Sequence, residues 1–164
     1  MSFFTRIKNY LYWKLNIDEI YNKMPDEEFL KKRYRKRLGR TLELSDPSTF
    51  SEKMQWLKLN NRRPEYTVMV DKFAAKNYVA NILGDKYVTP TLGVWDHYAE
   101  IDFDSLPEKF VLKCTHNSGG LMICNDRKTV DWGKGRKQIE NALKKNYYLS
   151  SREWPYKDVP PRII

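Results

Sequence analysis

Phe110-Val-Leu-Lys-Cys-Thr-His-Asn-Ser-Gly-Gly-Leu-Met-Ile-Cys124 is the stretch on which the fold of this chain turns. Phe110 to Cys114 and Leu121 to Cys124 are short apolar, partly β-branched runs bounded by turn residues, the pattern of two strands. Between them Thr115, His116, Asn117, Ser118, Gly119 and Gly120 form a loop with few side chains to keep its backbone N–H groups from an anion. Lys113 stands at the end of the first strand. A lysine, an amide-rich loop and a strand pair together suggest a cover for the phosphates of a nucleotide.

Composition sets the bounds around this hairpin. At 164 residues the chain is one domain or part of one, long enough for a core. Hydrophobic residues at 41% and aromatic residues at 14% speak for a folded chain despite 31% charged residues. The net charge of +9 admits nucleic acid, an anionic membrane face or an acidic substrate, and equally a solvated surface. Two cysteines without a CxxC, and no histidine cluster, indicate neither zinc nor a disulfide framework, so no metal ligands are assigned and a reducing compartment is expected. No stretch has the ~18 apolar residues of a spanning helix and no secretory leader is visible, so a cytoplasmic location is expected.

In chain order, Phe3, Phe4, Ile7, Tyr10, Leu11 and Leu15 recur at helical spacing with Arg6, Lys8 and Lys14 between them. Two readings stand for this amphipathic helix over residues 3–15: docking on its own domain, or peripheral contact with the inner face of the membrane. Pro25 fits the first turn of a second helix, with acids at its start, bases toward Gly39 at its end, and Phe29, Leu30, Tyr34 and Leu38 as its buried stripe. Its basic faces resemble those of a nucleic-acid helix, yet no stacking platform or DNA-binding motif accompanies them, so no nucleic acid is expected.

Thr49 and Glu52 form a capping box at the start of a third helix, and 60–64 (Asn-Asn-Arg-Arg-Pro) breaks the chain. Asp71 caps a helix whose Ala75, Tyr78, Val79, Ile82 and Leu83 make one apolar face, ended by Gly84. An extended segment follows from Val88 to Trp95, with Pro90 at an edge or bend. After the hairpin come a helix from about Asp131 to Tyr148, with Ile139, Leu143 and Tyr147 on one face, and a final run, Val159 to Ile164, that starts like a strand and stops. That ending reads as a truncated chain.

With these pieces placed, Asp71-Lys72-Phe-Ala-Ala-Lys76 through Gly84 and Pro90, then Phe110-Val-Leu-Lys113 and Ser118-Gly-Gly120, resemble the front half of an ATP-grasp enzyme. Thr49-Phe-Ser-Glu-Lys-Met-Gln-Trp-Leu57, Val94-Trp-Asp96, Leu106-Pro107, Leu112 to Gly120, Asn146-Tyr-Tyr148 and Arg152-Glu-Trp-Pro-Tyr156 resemble, more narrowly, the ATP-grasp group typified by the teichuronopeptide-biosynthesis protein. The likeness runs from about Pro47 to Ile164 in several ordered motifs.

The resemblance implies an α+β fold: a helical N-terminal region over 1–63, part of a first ATP-grasp subdomain over 64–105, and an incomplete hairpin-plus-helix lid subdomain over 106–164. It implies ATP, with Mg²⁺ in the full-length family, and an ATP-dependent carboxylate–amine ligation through an acyl phosphate. Such proteins often serve cell-surface polysaccharide assembly, and similar sequences are often labelled glycosyltransferases, so an acidic polysaccharide or its precursor is an implied partner. Lys113 matches the lid lysine on the ATP phosphates, Lys72 the earlier phosphate lysine, and Ser118, Gly119 and Gly120 the loop that closes over the β- and γ-phosphates. His116 and Asn117 join them as further loop contacts to phosphate or substrate.

The strand pair carries a sharper expectation. If Cys114 opposes Leu121, one face holds Val111, Lys113, Met122 and Cys124, with Val111 and Met122 as apolar contacts for adenine. The other face, Phe110, Leu112, Cys114, Leu121 and Ile123, packs on the helix beginning near Asp131. Cys114 on a buried face argues against a Cys114–His116 nucleophile and base, and Trp95, His97 and Trp154 read as structural. In the family, the strand begun by Arg162-Ile-Ile164 leads into the adenine hinge, the ribose-binding acid and the Mg²⁺ ligands. The expectation is therefore the N-terminal part of a ligase-like protein, inactive by itself, with no catalytic residue assigned. A non-catalytic or glycosyltransferase-associated pathway module, or a small basic nucleic-acid binder, are the alternatives.

Overall fold

The computed structural model describes residues 20–164, and the amphipathic stretch expected over residues 3–15 lies outside them. The chain divides into two compact units, Met1–Asn61 and Arg62–Ile164.

In the first unit, α1 (Asp26–Leu38) begins with Asp26, Glu27 and Glu28 and ends with Arg35, Lys36 and Arg37, each sign at the helix end whose dipole favours it. Pro25 stands one position before the helix, and Gly39 ends it in the left-handed region (φ 69°), its N–H donating to the Arg35 carbonyl. Phe29, Leu30 and Tyr34 are buried with Leu42, and Met24, Leu44 and Leu59 pack against them. Leu38, expected in that stripe, is exposed, because the last turn runs past the cluster. The capping box forms as expected at the start of α2 (Phe50–Asn60): the Thr49 side chain accepts from the Glu52 N–H, and the Glu52 carboxylate accepts from the Thr49 N–H at 2.9 Å.

The second unit is mixed helix and sheet, an α+β arrangement. It contains α3 (Glu65–Val70), α4 (Lys72–Leu83), the hairpin of β1 (Phe110–Lys113) and β2 (Leu121–Cys124), α5 (Trp132–Leu143) and α6 (Tyr147–Ser151). The single helix expected from Asp131 to Tyr148 is two. The Asn146 side chain accepts the Tyr148 N–H and begins a new helix, so the first one stops at Leu143. The C-terminal residues extend the sheet on the other side of β1: Lys113 and Ile164 exchange both backbone hydrogen bonds at 2.9 Å, and Ile163 exchanges bonds with Trp95 at 2.7 and 2.9 Å.

The hairpin register differs from expectation by one residue. Phe110 opposes Cys124, Val111 opposes Ile123, Leu112 opposes Met122 and Lys113 opposes Leu121. Cys114 donates its N–H to the Gly120 carbonyl at 2.8 Å, so the loop is one residue shorter than its composition suggests. Because side chains alternate across a strand, this slip exchanges the whole of β2 between faces. Met122 and Cys124 face inward with Phe110, Leu112 and Cys114, while Leu121 and Ile123 join Val111 and Lys113 outside.

The inward face packs on α5, as expected for its β1 residues, while its β2 residues are Met122 and Cys124 in place of Leu121 and Ile123. Ile139, Ala142, Tyr98, Ile101, Leu106 and Ile163 complete one cluster, with Phe103 and Trp132 stacked edge-on beside it at 5.1 Å. Two glycines permit this closeness. A Cβ on Gly120 would stand 2.7 Å from the Cys114 Cβ and 2.8 Å from the Ala142 Cβ, and one on Gly135 would stand 2.9 Å from the Met122 Cγ.

Candidate functional site

The face of α4 that the sequence marks as a core stripe is largely uncovered: Tyr78, Ile82 and Leu83 are exposed, Ile82 by 62%. The helix begins at Asp71, as expected, whose carboxylate accepts the Phe73 and Ala74 N–H groups, and it ends at Gly84. What α4 turns toward the hairpin is Lys72, Ala75, Lys76 and Val79, a set at i, i+3, i+4 and i+7 that shares one side of a helix. Opposite stands the outer face of β1, with Val111 and Lys113. Between them lies a cleft of about 750 Å³, bounded by residues 87–92 and also lined by Leu106, Lys109 and Ile164.

The cleft is apolar along Ala75, Val79, Val88 and Val111, and cationic at Lys72, Lys76 and Lys113. Burial pushes the Lys72 ammonium below the usual lysine range, and the positive charge of Lys113 adds to that push. Lys76 is lowered too, by burial first and Lys113 second. Lys72 donates to the Asn117 carbonyl and, at 3.4 Å, to that of Thr115. Lys76 donates to the Thr89 carbonyl at 2.8 Å and to the Thr91 hydroxyl at 3.1 Å. Among the described residues no hydrogen bond or ion pair holds the exposed Lys113 side chain. Mutually repelling ammonium groups beside an apolar wall form a site whose electrostatics a polyanion relieves.

The glycine loop is organised differently from expectation. Asn117 is buried, and its side-chain carbonyl accepts both the Gly119 N–H at 3.0 Å and the Gly120 N–H at 2.9 Å. Those two amides therefore already have an acceptor, supplied by the kind of local turn that Asn readily makes. The Asn117 amide in turn donates to the Ala142 carbonyl at 3.1 Å. His116 is buried beside it, its Nε2 lying 3.2 Å from the Ala142 carbonyl and 3.1 Å from that of Lys145. Two carbonyl acceptors require a proton on that nitrogen. Burial lowers the His116 pKa, which favours the neutral ring, and Nδ1 is buried and unpartnered. His116 and Asn117 thus fasten the loop to the C-terminal end of α5.

Of the residues singled out in the sequence, Val111 and Lys113 of β1 and Lys72 of α4 line the one cleft. Ser118 and Gly119 are exposed outside the cleft lining, Gly120 is buried against Cys114, and Met122 points into the core. The expectation of Met122 beside adenine is corrected by the register. Cys114 is fully buried, its Sγ directed at the Ile139 carbonyl, and burial pushes its thiol up to about 11, which leaves no thiolate for a Cys–His pair. Lys76 and Lys109 line the cleft without having been singled out as site residues. The four-residue spacing of Lys72 and Lys76 was the available signal for the first, whereas Lys109 precedes the strand and gives none.

Among the described residues no group of three or more His, Cys, Asp or Glu side chains is placed to hold a metal ion, and no helix is long and apolar enough to cross a membrane. No curated protein matches the chain, and no solved structure does. The family model described as TupA-like ATPgrasp matches residues 52–164, a span that contains the cleft, the hairpin and α5. By that match over more than half its length, this chain belongs to the TupA-like ATP-grasp family.

Proposed function

We propose that the cleft between α4 and β1 binds ATP, with Lys72, Lys76 and Lys113 around the phosphates and Val111, Ala75 and Val79 against the base. The observation that carries this reading is the convergence of three ammonium groups from two elements on one cleft with an apolar wall. Lysine suits the role because its ammonium is a compact charge with three donors on a flexible stem. His116 and Asn117 support the site by holding the loop that leads from Lys113 back to β2. The family generally binds ATP with Mg²⁺, and bound ATP supplies the phosphoryl group that activates a carboxylate for ligation. The acceptor class, a precursor of cell-surface polysaccharide, is proposed on the family resemblance. Within the described residues the proposed part of this chain is to bind and orient the nucleotide rather than to turn it over.

Calorimetric titration of the purified chain with ATP tests the reading. Saturable binding is expected, about tenfold weaker in Lys113→Ala, since a charge-assisted contact is worth about that factor. Binding that ignores the loss of Lys113, or no binding of ATP under any condition, would overturn it.

A further inference from the structure

The Lys72 ammonium is already held when the cleft is empty. It donates to the main-chain carbonyls of Thr115 and Asn117, so two of its three N–H groups are spent on the loop that follows β1. That loop is two-sided. Its carbonyls meet Lys72 of α4, while the His116 and Asn117 side chains meet the Ala142 and Lys145 carbonyls at the end of α5. The two carbonyls differ in what fixes them. Thr115 is tied to the C-terminal residues, its N–H donating to the Arg162 carbonyl at 2.8 Å and its hydroxyl to the Pro160 carbonyl at 2.9 Å. Asn117 is held instead by its own side chain, which accepts the Gly119 and Gly120 N–H groups and donates to Ala142.

Resting on the nucleotide reading of the same cleft, we propose that Asn117 is a positioning residue for Lys72: its anchored side chain fixes the carbonyl that aims the Lys72 ammonium before phosphate arrives. A lysine stem is flexible, and ordering it at the moment of binding lowers affinity. An ammonium held by two neutral carbonyls keeps its charge and has a third N–H left for the ligand, so its ordering is completed on folding. Lys113, exposed and without a hydrogen bond or ion pair among the described residues, brings charge without a fixed direction.

The test is a double-mutant cycle on the 164-residue chain, read by calorimetric titration with ATP and with inorganic tripolyphosphate. Lys72→Ala should weaken both ligands about tenfold, and Asn117→Ala about threefold to tenfold. Asn117→Ala added to Lys72→Ala should bring no further loss, whereas added to Lys113→Ala it should keep its effect. A loss through general damage to the loop would persist without Lys72, so an undiminished loss in that background overturns the inference and leaves the nucleotide reading standing. Should Asn117→Ala fail to fold, lysine nitrogen NMR of the wild-type chain decides. The Lys72 ammonium should show coupling across its hydrogen bond to the Asn117 carbonyl carbon, and ATP should shift that signal; no coupling, or a signal that bound ATP leaves unmoved, overturns the inference. Tripolyphosphate binding that follows the cycle without binding of ATP upholds the positioning and overturns the nucleotide reading. Binding of neither ligand overturns both.

Discussion

Arg162 donates through Nη2 to the Asp71 carboxylate at 2.8 Å, joining residues 91 positions apart in the sequence. The same aspartate caps α4, and the same arginine lies 5.2 Å from the Phe73 ring. Beside this pair, the Arg162 carbonyl accepts the Thr115 N–H at 2.8 Å, and the Thr115 carbonyl accepts the Lys72 N–H at 3.3 Å. The start of α4, the end of β1 and the C-terminal residues are thereby fixed together, and Lys72 is aimed from that junction.

Arg162→Ala should lower stability by about 2 kcal/mol, because it leaves the buried Asp71 carboxylate without its charged donor. Asp71→Ala should cost about 1 kcal/mol more, since the helix cap is lost as well. Urea denaturation midpoints check both values. Arg162→Lys keeps the charge and should recover part of the loss; no recovery would assign the effect to the guanidinium's packing on Phe73 instead.

The two loop glycines should separate cleanly. Gly120→Ala drives a methyl into Cys114 and Ala142, whose Cβ atoms are held by their backbones, and should destabilise by about 1–3 kcal/mol. Nothing lies within 4 Å of a Cβ on Gly119, so Gly119→Ala should leave the thermal midpoint unchanged. Equal effects of the two substitutions would contradict the loop packing described above.

Stability should depend on His116 with a definite sign. Burial sets its folded pKa below the ordinary value of 6.5, so at mildly acidic pH the unfolded chain binds a proton that the folded chain refuses. Its contribution is fully present above that ordinary value and is lost as pH falls through the folded one. Thermal midpoints should therefore decline as pH falls below neutrality, and His116→Gln should flatten that decline. A His116→Gln profile parallel to wild type would place the proton uptake elsewhere.

The cleft lysines should differ in what they support. Lys113 is exposed and makes no contact that folding needs, so Lys113→Ala should change stability by less than about 0.5 kcal/mol while weakening ATP binding. Lys76 ties α4 to Thr89 and Thr91, so Lys76→Ala should weaken binding and also cost no more than about 1 kcal/mol. Paired chemical denaturation and ATP titration distinguish the two.

What the sequence determined by itself was local. The capping box at Thr49 and Glu52, the Asp71 cap, the stop at Gly84 and the two strands around the glycine loop each depend on residues a few positions apart. Lys113 and Val111 could be placed on one side of β1 for the same reason, since alternation needs only the strand. Tertiary structure decided the rest. The register of β2 turned on a single residue of loop length, and with it the direction of Met122. Whether the apolar face of α4 is covered depended on what packs there, and Tyr78, Ile82 and Leu83 remain exposed. The loop amides were given to Asn117 because His116 and Asn117 meet the carbonyl end of α5. Spacing along a chain dictates which side chains share a face, but only packing between distant segments dictates what that face meets.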